Sequence, residues 1–566
     1  MPKQLPILLW IGVTAGLSFA QTRPPETIYV NGKIVTVDSK FSIAQAVAIT
    51  DGKFQAVGTS AEIRKLAGPN TRVVDLRGHT VVPGLEDSHL HQAGGGPGID
   101  LSGARTLADV YAAIAARVKI SKPGDVIVSN GDWHEAQLKE QTLPLRRDLD
   151  KVAPDNPLVL VRGGHEYVLN SAALAKWHID KSTAAPDGGQ ISRYPNGEPN
   201  GELMDRARVF VTLPAQKLTT EQQIDFWKNQ YARLNAAGLT SVRHPGISLD
   251  QYHLLQEMER RGLLTVRVTA LLSAPRDPDG PGVRAFIEKS GVKPNEGDDW
   301  LKIAGMKLIV DGGFEGGWMM EPYVEPYGKD HSFRGLQLIP ADHFTSAVRE
   351  LNQLGWRVGT HAVGDAAIAQ VLAGYEAANA DSPLAGKRWA IEHGFMPHEE
   401  QFVRMKRLDL IVTVQDHLYI AGPSLVRYWG SKRAEWTTPV RAYLDHGIPV
   451  AAGTDAPVVP YAPLLTFYHF VTRDTMSGGV LGADQKITRE EALRIATMGN
   501  AWLTFDEKVK GSIEPGKLAD FTVLAEDILS VPAKRIDEMK VLATVVGGKT
   551  VYASGDMDGR APAARR

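Results

Sequence analysis

Residues 81–91 read Val-Val-Pro-Gly-Leu-Glu-Asp-Ser-His-Leu-His. An apolar, β-branched run passes through a Pro-Gly pair and ends in His89-Leu90-His91. On a strand, residues i and i+2 share a face, so two imidazoles can point at one ion from one strand. Seven further apolar runs follow Val81–Leu85: Thr240–Val242, Val266–Leu272, Met306–Val310, Val358–Gly359, Trp389–Ile391, Leu410–Val414 and Pro449–Ala452. Helical patterns lie between them, such as Phe344–Leu354 and Ala366–Ala378. Eight strand–helix units predict an α/β fold with a parallel sheet and crossovers, and closing that sheet gives a (β/α)8 TIM barrel.

Other runs end as the first does. His361 closes WRVGTH, His393 closes WAIEH and Asp455 closes PVAAGTD. The C-terminal ends of the strands form the active face of such barrels. One such residue reads as a capping Asp or a satisfied core His; four strands pointing the same way read as a site. Imidazole and carboxylate oxygen suit Zn²⁺ and similar divalent ions. Lys307, inside AGMKLIVDG, is costly in an apolar strand unless paired or changed. As an ammonium it snorkels or pairs, with Asp311 as the nearby carboxylate. As a desolvated amine it could take up CO2 and become an anionic carbamate, an oxygen ligand able to bridge two metals.

Composition narrows the chemistry. The chain has 566 residues, 63 Lys plus Arg, 65 Asp plus Glu, a formal charge of −2 and no cysteine. No basic excess points to nucleic acid. Disulfides, thiolate nucleophiles and Cys-ligated metals are excluded. Lys3 precedes an apolar run of 13 residues, Leu5 to Leu17, then Ser18-Phe19-Ala20. That run is shorter than the ~20 residues a spanning helix needs. It reads as a signal peptide over 1–20, which predicts export to a periplasmic or secreted location and no membrane association after cleavage.

The flanks read as β structure. Thr27–Val37 carries a hairpin signal at Asn31-Gly32, and Gln45–Val57 another at Asp51-Gly52. Asp520–Leu524 and Val541–Tyr552, with a Gly547-Gly548 turn, match them in style. We therefore expect a composite β-sandwich from 21–80 and 507–556, a barrel over 81–506, and a disordered tail over 557–566. The gap after the first strand holds Leu107–Ile120, DVIVSNG (125–131) and LVLVRGG (158–164). We read about 92–218 as an inserted subdomain. An alternative barrel would use those two runs as wall strands, but they lack the metal-competent ends.

In order along the chain, PGLEDSHLH, MKLIVDGG, THAVGDAAI, IEHGF, GTDAPV and GSIEPGKLADF resemble the metal-dependent amidohydrolase superfamily. The set is most similar to the branch that holds N-substituted formamide deformylase, amidohydrolase family 3. The resemblance spans nearly the whole chain after the leader. It implies a barrel with a sandwich from both termini and an insertion after strand 1. It implies that His89 and His91 bind the more buried metal, carboxylated Lys307 bridges, His361 and His393 bind the second, and Asp455 contacts a metal and the attacking water. One or two divalent ions are implied, with Zn²⁺ the expected metal. The implied reaction is hydrolysis of an amide-type, non-peptide C–N bond of a small molecule by a metal-activated hydroxide, with Asp455 moving the proton. Where the family often reads DGSLG, this chain has DGGFEGG (311–317), so the loop over the metals differs.

Substrate contacts are expected around the strand ends. Arg162 and His165 lie in VRGGHEYVLNSAAL; His165 also reads as a plain loop residue. Trp133, beside His134 in NGDWHE, reads as an aromatic wall or as core. Trp318, Tyr323 and Tyr327 follow strand 4 as a candidate lid, and His417 follows strand 7 beside Asp416. Glu86-Asp87 reads as a support behind the ligands or as structural, rather than as catalytic. The same scaffold also suits a deaminase, a lactonase or a hydratase, because an activated water attacks any suitable electrophilic carbon. A non-catalytic binding or regulatory homologue is the reading from a different class. Related barrels commonly pair, so a homodimer is the expected assembly.

Overall fold

The predicted runs become eight parallel strands, numbered here 1 to 8: Leu85–Asp87, Leu239–Ile247, Arg267–Ser273, Leu301–Ile309, Val358–Ala362, Ala390–His393, Ile411–Gln415 and Val450–Gly453. These come from a computed structural model that describes residues 23–214, 217–324 and 332–555. The strands pair in chain order. The Ser88 N–H, just past strand 1, donates to the Ala452 carbonyl of strand 8 at 3.0 Å and joins the two ends of the sheet. Helices such as Ala341–Gln353 and Asp365–Asp381 cover the wall, which is why strands 6 and 7 are buried along their whole length.

The first run divides in two. Thr80–Pro83 belongs to another sheet, paired with Phe521–Leu524, and the barrel wall begins only at Leu85. Gly84 makes the change of direction. A Cβ there would meet Thr240 Oγ1 at 2.1 Å, so only glycine lets strand 2 approach so closely.

Thr80–Pro83 sits in a six-stranded sheet whose order runs Lys549–Ala553, Val541–Val546, Phe521–Leu524, Thr80–Pro83, Lys33–Val35, Ile43–Ala44. Strands from both flanks of the chain thus share one sheet. It packs on a four-stranded sheet through a common core that includes Tyr29, Val47, Val81, Phe521 and Val545. The Asp51-Gly52 and Gly547-Gly548 signals make hairpins. Asn31-Gly32 does not. Thr27–Val30 pairs with Ala46–Thr50 while Lys33–Val35 pairs with Ile43–Ala44, so this turn passes the chain from one sheet to the other.

DVIVSNG and LVLVRGG supply Ile127–Val128 and Leu158–Arg162 of a separate five-stranded sheet, outside the barrel wall. It has its own core, including Val110, Ile114, Leu149, Leu160 and Val168. Among the described residues no helix is long and apolar enough to cross a membrane. The leader expected at 1–20, the tail at 557–566 and Tyr327 lie outside the described residues.

Candidate metal centre

The strand ends bring the histidines together. His89 and His91 lie just beyond strand 1 rather than on it, because the strand ends at Asp87. Ring centroids are 5.4 Å apart for His89–His91, 4.7 Å for His89–His393, 4.5 Å for His393–His361 and 5.3 Å for His361–His165. One nitrogen each of His89 and His393 and one oxygen of Asp455 all lie within 4.8 Å of one another. All three residues are buried.

A hydrogen-bond network decides which nitrogens face that space. His89 Nδ1 is 2.8 Å from Glu392 Oε2, and His393 Nδ1 is 2.7 Å from Gln415 Oε1. Both partners are acceptors, so both Nδ1 atoms carry the proton. Burial holds His89 down to about 4 and His393 well below the usual histidine range, so both rings are neutral. Their Nε2 lone pairs remain for a cation. The network is continuous. Gln415 Nε2 donates to Thr413 Oγ1 at 3.2 Å, Thr413 Oγ1 donates to Glu392 Oε2 at 2.6 Å, and Arg243 donates to both Glu392 oxygens at 2.7 and 3.1 Å. Burial works against the Glu392 charge, but Arg243 and the His89 hydrogen bond outweigh it and hold the carboxyl well below its usual range.

Asp455 completes the set from strand 8. Its Oδ2 accepts from His417 Nε2 at 3.0 Å. Its Oδ1 is buried without a hydrogen bond and lies 3.5 Å from His89 Nε2 and 3.2 Å from His91 Nε2. His89 Nε2 and a carboxylate oxygen thus lie close together in a buried space, a donor set that suits a shared cation. His393 (φ 74°) and Asp455 (φ 62°) both sit in the left-handed region, strain of the kind that clusters at functional sites. Asp87 anchors the geometry by accepting the His89 N–H at 2.9 Å and the Thr454 hydroxyl at 2.6 Å. Glu86 pairs with Lys510 and is structural.

Two of the expected ligands, His361 and Lys307, have other contacts here. His361 Nε2 donates to the Gly312 carbonyl at 3.1 Å, so this nitrogen is engaged. Lys307 does not pair with Asp311. That carboxylate instead accepts N–H groups of Val363, Gly364 and Trp318 at 2.8–3.0 Å, tying strand 4 to strand 5. Lys307 Nζ lies 3.4 Å from His89 Nε2, is 6% exposed, and burial pulls its pKa down to about 8.

A cleft of about 440 Å³, including its open mouth, lies over these residues. His361, His393, His417 and Asp455 line one side; Trp133, His134, His165, Phe314, Phe395 and Val458 form much of the rest. His165 reaches the cleft with Nδ1 held by Asp205 at 2.6 Å. Trp133 lines it too, but is 1% exposed and its indole N–H is spent on the Val161 carbonyl. Arg162 is not a free anion binder, because its guanidinium bonds Glu135 at 2.8 and 3.0 Å and also pairs with Glu166 and Glu315. Trp318 is not among the lining residues, and Tyr323 is no lid: it is 1% exposed and its hydroxyl donates to Phe314 and Gly317 carbonyls. Sequence reasoning missed Glu392, Arg243, Gln415 and Phe314. A charge inside the apolar runs WAIEH and TSVRH was the available signal for the first two.

Comparison with known proteins agrees with this geometry. Residues 72–552 match the amidohydrolase family. The chain is 30% identical to N-substituted formamide deformylase of Arthrobacter pascens over 94% of this chain and 99% of that one. It is 29% identical to the protein LONG AFTER FAR-RED 3 of Arabidopsis thaliana over 93% and 91% of the two chains. A solved structure of an uncharacterized metal-dependent hydrolase from Pyrococcus horikoshii superposes with a TM-score of 0.66 at 25% identity, covering 90% of this chain and 99% of that one. With the barrel, the buried His–His–Asp set and this match over most of its length, the chain belongs to the amidohydrolase family.

Proposed function

We propose that the protein hydrolyses the C–N bond of a small amide, with His89, His91, His393 and Asp455 holding a divalent ion at the strand ends. The observation that carries this reading is the buried convergence of one nitrogen each of His89 and His393 and one oxygen of Asp455 within 4.8 Å. A divalent ion bound there supplies a polarised carbonyl and a water acidified toward ~7. Asp455 takes the proton as the water oxygen bonds to the carbonyl carbon. It returns that proton to the nitrogen as the C–N bond breaks. His417, donating to Oδ2, holds the Asp455 carboxylate in place. Glu392 and Gln415 hold the two rings in the tautomer that keeps Nε2 free.

The finer assignments rest on chemistry and resemblance. Zn²⁺ suits the His and carboxylate donors. A carbamate on Lys307 is supported by its burial and its pKa near 8, which leaves amine available to CO2 at mildly alkaline pH. His361, freed from the Gly312 carbonyl, would serve a second ion. Export rests on the leader-like segment 1–20, and a homodimer on the habit of related barrels.

The test is a panel of N-formyl amines, N-acyl amines and cyclic ureides, assayed with wild type and Asp455→Asn. We expect turnover of at least one amide, reduced roughly 10²–10⁴-fold in Asp455→Asn while bound ions are retained. Absence of turnover across the panel by the metal-loaded enzyme, or an unchanged kcat in Asp455→Asn, contradicts the reading.

A further inference from the structure

His134, on the insertion, is 1% exposed and lines the cleft. Its Nδ1 accepts the Ala136 N–H at 3.0 Å. A backbone N–H can only donate, so Nδ1 holds the lone pair. Glu135 Oε2 is 3.4 Å from the same nitrogen, but that oxygen already accepts Arg162 Nε at 2.8 Å. Burial lowers the ring's pKa to about 3 and keeps it neutral. The one remaining ring proton is on Nε2, which is buried with no hydrogen-bond partner. A buried donor without an acceptor is costly, and a ligand can supply the acceptor.

The surroundings say which kind of ligand. Phe314 meets His134 edge to face at 5.6 Å and stacks on Phe395 at 6.0 Å. Phe395 lies 5.8 Å from the metal-facing His393. Phe314 and Phe395 thus form an aromatic chain running from the His134 donor to His393. Arg162 is the one Arg or Lys among the described lining residues, and it is bonded to Glu135 and ion-paired with Glu166 and Glu315. No cation is left to receive a carboxylate at this end.

We propose that His134 is a specificity-determining residue whose Nε2–H binds an uncharged acceptor oxygen, carbonyl or ether, at the end of the substrate remote from the scissile bond. The substrates are then neutral amides with an apolar middle and such an oxygen. This rests on the hydrolase reading above for the reaction, though not for the contact itself.

The probes are three formamides of 2-phenylethylamine carrying ethyl, acetyl or carboxylate at the ring position para to the chain. With metal-loaded wild type, the acetyl compound should exceed the ethyl compound in kcat/KM by about 10- to 100-fold, and the carboxylate should fall below both. The acetyl advantage should shrink to within about twofold in His134→Phe and persist in His134→Gln, whose amide still donates. Equal rates for acetyl and ethyl in wild type, a preference for the carboxylate, or an advantage that survives His134→Phe overturns the proposal. The wild-type series needs no variant to fold. Calorimetric binding of the same compounds to metal-loaded Asp455→Asn separates the two readings. The predicted order of binding with no cleavage by wild type retires the hydrolase and keeps the His134 contact; cleavage without that order does the reverse.

Discussion

Arg243 on strand 2 and Arg162 in the insertion each bury a guanidinium against a glutamate, at 2.7 Å to Glu392 and 2.8 Å to Glu135. Their further partners differ. Glu392 also accepts from His89 and Thr413, so this pair sets the tautomer and direction of a candidate metal ligand. The Arg162 cluster gathers Glu135 and Glu166 from the insertion, Glu315 from the loop after strand 4, and Tyr428 from the helix after strand 7. It fastens the insertion to the barrel and contacts none of the metal-facing nitrogens. The same side-chain chemistry thus orients ligands in one place and docks a subdomain in the other. Residue type alone does not separate these roles; the third partner does.

Breaking each cluster should show the difference. The largest stability loss is expected for Arg162→Met, which leaves the buried Glu135 carboxylate without its cation: about 3–5 kcal/mol in a denaturant titration, with metal affinity unchanged. A fall in metal affinity for this variant would erase the comparison. Glu392→Gln keeps the shape and an acceptor for Arg243. It should cost less stability, about 1–3 kcal/mol, yet lower metal affinity roughly 10–100-fold in a competition with a chelating dye. Gln415→Leu, which frees His393 Nδ1 and removes one donor to Thr413 Oγ1, should weaken metal binding by about tenfold and move the melting temperature little. The exposed pair Arg349–Asp381 calibrates the low end: Asp381→Asn should change stability by less than about 1 kcal/mol.

The barrel was legible because its signals are local. An apolar run ending in a polar, ligand-competent residue is read within ten residues, and His89, His393 and Asp455 were found that way. The supports were not legible, because their partners are distant. Nothing near Glu392 in sequence announces Arg243, which comes from another strand. The first strand was placed too early for a similar reason, since Thr80–Pro83 takes a partner from the far end of the chain. Asn31-Gly32 carries the same turn signal as Asp51-Gly52, but which strands pair across a turn depends on the rest of the sheet. Arg162 looked like a substrate binder until the three glutamates around it were seen in space. Lys307 looked like a partner for Asp311 until the strand-5 N–H groups claimed that carboxylate.

The central claim is that His89, His393 and Asp455 hold a divalent ion on which hydrolysis depends. Elemental analysis of the purified protein, joined to an activity assay before chelation, after chelation and after metal is restored, tests it most directly. The account predicts one to two divalent ions per chain, activity lost with the ions and regained with them. A protein that is metal-free as purified and fully active, or that keeps its activity through chelation, would contradict it.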